Sequence, residues 1–375
     1  MKIVHLGPTA IPVLHAKGGA VQRRMIELAA QQAAAGHSVT VLSADGHDGE
    51  VDHRGASVVS VATRLDRPLR DVEFLAKARR HVRRLRPDIV HHHGLPEGAR
   101  VVGYREAPAL LSFDFFRFRG SDRRVGWRHY RRSLDRFDVL MPVSRACGEL
   151  AAAYWPVPLA DMRVLENGVS LSQFEPDTVA GKEARMRFGL GDEPIVLYVG
   201  RLCEQKGTDL LLEAWATVTK ERPLAQLVLA GPVGQFGESG PNEFLTRIDA
   251  VGARYVGPVD EVLLNGVYNC ADIFVMPTRR DEMFGMAALE AQACGKPVVA
   301  SRWGGLTEAV GAESGVFFTP DSADELSAAM VELLDDPDRR DAMSSAALAH
   351  AAKFDWRAIA GRAMTIYEEA RRAMR

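Results

Sequence analysis

Apolar positions along the chain follow two alternating rhythms. Short runs rich in β-branched residues, Ile3 to Leu6, Ser38 to Ser43, Ser57 to Val61, Asp88 to His92, Ala109 to Phe113 and Val139 to Val143, predict strands. Between them, segments such as Ala20 to Ala35 and Leu69 to Leu85 carry apolar residues at helical spacing. Strand and helix in turn predict a parallel sheet covered on both faces, joined by right-handed crossovers. The pattern restarts at Ile195 to Val199 and continues through Leu227 to Leu229, Arg254 to Val256, Ile273 to Met276, Val298 to Ala300 and Val316 to Phe318. The stretch from Asn167 to Pro194 is rich in Gly, Pro and polar residues around one short helix, so it reads as a connection and a hinge. Trp356 to Met374 adds an amphipathic helix with no strand after it. The expected fold is α/β: two Rossmann-like domains, 1–170 and 171–355, facing each other across a cleft.

Composition agrees with two domains and narrows the setting. The chain has 375 residues, 47% of them hydrophobic and 26% charged, with net charge −2, which suits folded domains and argues against disorder. No apolar run reaches the roughly 18 residues of a membrane span, and the first residues lack a signal-peptide pattern, so a cytoplasmic location is expected. Cys147, Cys203, Cys270 and Cys294 lack the paired spacing of a zinc site or disulfide framework and read as reduced, packed thiols. Charge is unevenly spread: residues 1–170 hold 26 Lys/Arg against 18 Asp/Glu, and residues 171–375 hold 21 against 31. The basic first half leaves room for a phosphate-bearing substrate or a membrane surface.

In open parallel sheets ligands bind outside the carboxyl ends of the strands, so the loops there hold the candidate chemistry. Gly18-Gly19 closes a long loop before the helix near Ala20; paired glycines and helix-start amides suit phosphate, though a plain flexible helix entry explains them equally. Gly200-Arg201 and Lys206-Gly207 lie on one strand-to-helix loop, where Arg forks across two oxygens and Lys supplies a point charge to a diphosphate. The strongest signal is Glu282 to Glu290 followed by Gly295-Lys296-Pro297-Val298. A helix starting near Phe284 puts Glu282 on the loop and Glu290 about two turns on. The amides of Gly285, Met286 and Ala287 then suit a phosphate and Glu290 a ribose, while Glu282 is placed to face a sugar.

These motifs resemble family-4 retaining glycosyltransferases of the GT-B architecture. The resemblance covers nearly the whole chain and extends to Gly18-Gly19, Asn167-Gly168-Val169 and Gly304-Gly305 with Glu308. It implies a nucleotide diphosphate sugar donor, with Arg201 and Lys206 on the diphosphate, Glu282 near the sugar hydroxyls, Glu290 on the ribose, and the final helix, 356–375, packed back on the first domain. That first domain would bind the acceptor and the second the donor. It also implies front-face substitution without a metal or cofactor, in which the departing phosphate oxygen helps to remove the acceptor proton.

Two departures bear on substrate choice. Ser112-Phe113-Asp114 stands where many relatives carry a His at a strand end, and Met283 stands where Gly is common, which narrows the sugar pocket. With Gly-Gly-Ala-Val-Gln, this divergent segment is most similar to spore-coat-type and antibiotic-pathway members, including aminoglycoside enzymes. The expected acceptor is therefore a cationic aminocyclitol such as 2-deoxystreptamine, held by Asp114 and His93, with UDP-N-acetylglucosamine or UDP-glucose as donor. His91-His92-His93 is not read as a metal site, because neighbours on a strand point to opposite faces, and Asp336-Pro337-Asp338 is read as a capped turn. The arginines Arg79-Arg80 with Arg83-Arg84, and those from Arg117 to Arg132, read as solvated helix faces, without the aromatic interleaving of a nucleic-acid site. The alternatives are a transferase acting on a membrane-associated lipid or polysaccharide, a UDP-sugar epimerase and a non-catalytic nucleotide-sugar binder.

Overall fold

The computed structural model describes residues 1–7, 9–14, 19–66, 69–114, 132–155, 157–234, 241–280 and 282–375. They divide into two compact units, Met1–Gly168 with Trp356–Arg375, and Val169–Asp355.

The sheet of the first unit contains β1 (Lys2–Leu6), β2 (Ser38–Asp45), β3 (Gly49–His53), β4 (Ala56–Ala62), β5 (Ile89–His93), β6 (Ala109–Phe113) and β7 (Val139–Pro142), in the order β3-β4-β2-β1-β5-β6-β7. Every pairing is parallel except β3 with β4. β5 and β6 are buried at every position, as expected of parallel strands covered on both faces. The edge strand β3 is absent from the sequence reading because Gly-Glu-Val-Asp-His is polar and exposed and shows no apolar alternation. A tight turn makes the strand: Arg54 and Gly55 both have positive φ, 52° and 84°, and join His53 directly to its partner Ala56. One face of the sheet packs on the helix Leu69–Leu85 through Phe74, Leu75, Ala78 and Val82. The last helix, Trp356–Met374, packs against Ala20–Ala34.

The second unit holds β8 (Ile195–Val199), β9 (Gln226–Ala230), β10 (Arg254–Gly257), β11 (Ile273–Met276), β12 (Val298–Ser301) and β13 (Gly315–Phe318), all parallel, in the order β10-β9-β8-β11-β12-β13. Its core surrounds Trp215 on the helix Thr208–Glu221, which packs with the helix Ala323–Asp335. Asp336 accepts a hydrogen bond from the Arg339 amide at 2.8 Å and caps the helix Pro337–Ala351, so Asp336-Pro337-Asp338 is a helix start. No described helix is long and apolar enough to cross a membrane.

Both sheets grow outward from one strand and then return to its other side. The order therefore reverses between β1 and β5 in the first unit and between β8 and β11 in the second. At such a reversal the adjoining loops leave in opposite directions and open a crevice at the strand ends.

Candidate functional site

At the second unit's reversal, the loops after β8, β11 and β12 interlock. Gly207, at φ 69°, lies so close to the loop after β11 that a Cβ there would sit 1.9 Å from the Pro277 carbonyl oxygen. Gly304, at φ 51°, would place a Cβ 2.4 Å from the Glu282 carbonyl oxygen, and the neighbouring Gly305 amide donates to that oxygen at 3.0 Å. Only glycine tolerates both the left-handed backbone and this approach. The loop carrying Glu282 is thereby fixed at its backbone while the side chain projects from it.

On this frame the Lys206 ammonium lies 2.6 Å from Glu282 Oε2, with the two side chains only 20% and 13% exposed. The Arg201 carbonyl accepts from the Tyr198 hydroxyl at 2.7 Å, which ties the start of the loop to β8. Arg201 itself is half-buried and its guanidinium has no ion-pair partner among the described residues. Gly285, at φ 104°, precedes the helix Met286–Ala293, and no side chain caps it. That helix starts two residues later than its apolar spacing predicts because the left-handed Gly285 keeps Phe284 out of it. Its first amides remain donors without an intrahelical partner. Glu290, the fifth helical residue, is buried and accepts from the Tyr268 hydroxyl at 2.7 Å through Oε2. Two cations, uncapped helix-start amides and a carboxylate one turn further in are the features of a site for a nucleoside diphosphate.

The first unit's reversal is lined differently. Gly18 lies outside the described residues, and Gly19 begins the helix Ala20–Ala34, its amide donating to Gln22 Oε1 at 3.1 Å. Arg24, only 2% exposed, reaches from this helix to the ends of the neighbouring segments. It donates to Ser112 Oγ at 3.2 Å, Asn167 Oδ1 at 3.2 Å and the Leu165 carbonyl at 2.7 Å. Burial pushes its pKa down to about 10, and the nearby Asp114 charge opposes that shift. Asp114 is half-buried, and its charge acts on Arg24.

The structure corrects two readings of the histidine run. His91 and His93 share one face of β5, and His5, opposite His91 in register on β1, joins them, so three imidazoles do converge, with nitrogens within 4.8 Å of one another. The opposite-faces argument holds only for His92, whose ring meets Phe137 on the other side. His93 is also fully buried, with Nε2 2.9 Å from His5 Nδ1, rather than turned outward to a ligand.

With Gln32 Oε1 facing His5, the contacts form one consistent order of protons. His5 Nε2 donates to Gln32 Oε1 at 2.8 Å, so His5 Nδ1 accepts from His93 Nε2. Gln32 Nε2 donates to the Tyr367 oxygen at 3.4 Å; the Tyr367 hydroxyl donates in turn to His91 Nδ1 at 2.6 Å, and His91 Nε2 donates to Ser112 Oγ, also at 2.6 Å. Burial holds all three rings neutral, His5 at a pKa of about 4 and the others well below the usual value. Of the nitrogens of these three rings, His93 Nδ1 alone lacks a partner among the described residues. Three lone pairs do not face one point, and the Arg24 charge nearby opposes a cation, so the cluster is a neutral relay joining β1, β5, β6 and the last helix.

Sequence reasoning missed His5, Arg24, Gln32 and Tyr367. A signal existed for two of them: Arg24 and Gln32 sit four residues either side of the buried Leu28, on the apolar stripe of their helix. Arg79, Arg80, Arg83 and Arg84 are exposed, and of the run from Arg117 only Arg132 is described.

Comparison with known proteins places these two units. Residues 18–173 match the family described as Glycosyltransferase Family 4, and residues 182–350 match Glycosyl transferases group 1. A D-inositol 3-phosphate glycosyltransferase from Thermobispora bispora is 38% identical over 224 residues, 57% of this chain and 51% of that protein. The chain spans about half the length of the curated relatives it matches. Sucrose-phosphate synthase from Thermosynechococcus elongatus superimposes with a TM-score of 0.80 at 23% identity, covering 100% of both chains. Anabaena Alr3699/HepE, solved in complex with UDP, does so at 0.79 and 20% identity, covering 98% of this chain and 100% of that one. The structural likenesses show the fold, two Rossmann-like domains of the GT-B type.

Proposed function

From the premise that the chain carries a Glycosyltransferase Family 4 domain followed by a glycosyl transferases group 1 domain on a GT-B fold, we propose that it transfers a hexose or N-acetylhexosamine from a nucleotide diphosphate sugar, with retention and without a metal, to an acceptor hydroxyl. The observation that carries this reading is that, at the β8/β11 reversal, the Lys206–Glu282 pair joins the loop that also holds Arg201 to the loop leading into the uncapped helix of Met286, Ala287 and Glu290. The uridine diphosphate in the Anabaena protein of like fold supports a UDP-sugar. In the reaction the anomeric carbon loses its bond to the β-phosphate oxygen and gains one to the acceptor oxygen on the same face. The acceptor proton passes to the departing phosphate, so the main task is to stabilise charge growing on the diphosphate. One well-aimed donor contributes roughly 3 to 4 kcal/mol to such a step. Arg201, Lys206 and the helix-start amides are the donors, Glu290 holds the ribose and Glu282 the sugar.

For the acceptor, the carboxylate of Asp114 favours a cationic aminocyclitol recognised by the first unit. A second reading, a phosphorylated cyclitol, draws on the excess of cations in residues 1–170 and on the name of the Thermobispora bispora relative, which refers to inositol 3-phosphate. Mass spectrometry separates these readings. The enzyme is incubated with UDP-, GDP- and ADP-sugars, with and without EDTA, and with a pool containing 2-deoxystreptamine and inositol 3-phosphate. A glycosylated acceptor that forms equally in EDTA supports the proposal. Magnesium-reversible loss refutes metal independence, donor isomerisation without acceptor identifies an epimerase, and binding without turnover leaves only a nucleotide-sugar binder.

A further inference from the structure

Lys206 carries one positive charge, already engaged by Glu282, that a diphosphate at this loop would have to share or take. Its ammonium is a compact charge, and Glu282 Oε2 already lies 2.6 Å from it, with both side chains largely shielded from water. Arg201, on the same loop, has no such carboxylate among the described residues. The Glu282 backbone is pinned by the Gly305 amide and crowded by Gly304, so an exchange of partners is confined to side-chain rotation. Resting on the diphosphate assignment above, we infer that Glu282 is a built-in competitor for the nucleotide diphosphate and favours release of the spent nucleotide over release of the intact donor.

The asymmetry follows from what the displaced carboxylate finds. When a nucleotide diphosphate takes Lys206, Glu282 loses its ion-pair partner in a partly buried place, which opposes binding. An intact donor brings sugar hydroxyls that donate to the displaced carboxylate and offset this loss. The nucleotide that remains after transfer brings none, so Lys206 returns to Glu282 and the product leaves.

The test is a double-mutant cycle read by calorimetric titration of UDP, GDP and ADP into the parent, Glu282→Gln, Lys206→Met and the double variant. The nucleotide that binds the parent should bind Glu282→Gln roughly 3- to 30-fold tighter, while its UDP-, GDP- or ADP-sugar gains less. Lys206→Met should bind more weakly, and in that background Glu282→Gln should bring no gain. Unchanged or weaker nucleotide binding by Glu282→Gln, with Lys206→Met still weakened, overturns the inference and leaves the diphosphate site standing. If Lys206→Met binds all three nucleotides as the parent does, the diphosphate assignment falls and the inference with it. Thermal melts check that each variant is folded, and Glu282→Asp, which shortens the reach to Lys206, gives a smaller gain of the same sign should the glutamine variant fail to fold.

Discussion

Arg201 and Lys206 differ in what already neutralises them, and this difference sets the expected effect of removing each. Arg201 has no ion-pair partner among the described residues, so on the proposed assignment Arg201→Ala chiefly removes a donor to the diphosphate. Its turnover should fall about 100- to 1,000-fold, as for loss of one preorganised donor, with folding stability within about 0.5 kcal/mol of the parent. Lys206→Ala also strands Glu282, so both turnover and stability should fall, turnover more. Steady-state kinetics beside thermal melts decide this: full activity in a folded variant of either would remove that residue from the diphosphate. Glu290→Gln should chiefly weaken nucleotide binding, measured as a raised dissociation constant with turnover at saturation largely kept. Arg201 and Lys206 stand out in the sequence because each is beside glycine on a strand-to-helix loop, and Glu290 because it lies seven residues past Glu282 in a helix. His5 was not, because one histidine in an apolar strand carries no sign of the strand that will lie beside it.

The elements that escaped or survived the sequence reading do so for physical reasons. Alternation and helical spacing report burial, so the buried strands β5, β6, β8 and β11 and the amphipathic last helix were visible. The exposed β3 was not, since the Arg54-Gly55 turn and pairing to β4 hold it, rather than an apolar face. The last helix is likewise tied to its unit by a polar bond that no periodicity reveals: Tyr367 is fully buried, takes a hydrogen bond from Gln32 and gives one to His91. Tyr367→Phe keeps the ring and leaves His91 Nδ1 without its donor. The expected loss is about 1 to 3 kcal/mol, which lowers the melting transition of a unit this size by roughly 3 to 10 °C. Nucleotide affinity should not change, because the second unit is untouched. Circular dichroism melts and a UDP titration check both halves; an unaltered melt would show that the relay adds nothing to the docking of this helix.

At the scale of the whole molecule the two units differ in how many histidines they hold. Ten of the eleven histidines belong to residues 1–168, and only His350 lies in the second unit. Four of the first unit's histidines, His5, His91, His92 and His93, are buried and neutral. Burial lowers His5 to about 4 and His92 to about 3, and pushes His91 and His93 well below the usual value. Each binds a proton near pH 6.5 in the unfolded chain but stays unprotonated in the fold until the pH approaches its lowered value. Their stabilisation is therefore complete above about pH 6.5 and is lost as the pH falls toward about 4. Each proton bound only by the unfolded state contributes a slope of about 1.4 kcal/mol per pH unit, so four acting together give about 5.5. Set against a net stability of roughly 5 to 15 kcal/mol, that slope should unfold the first unit between about pH 4 and 5.5 while the second remains folded. Tryptophan fluorescence can follow the units separately, because Trp155 and Trp356 are buried in the first and Trp215 in the second. In Trp215→Phe/Trp303→Phe the emission should change in that window, and in Trp127→Phe/Trp155→Phe/Trp356→Phe only at lower pH. Coincident transitions in the two proteins would show that the buried histidines do not set the acid limit.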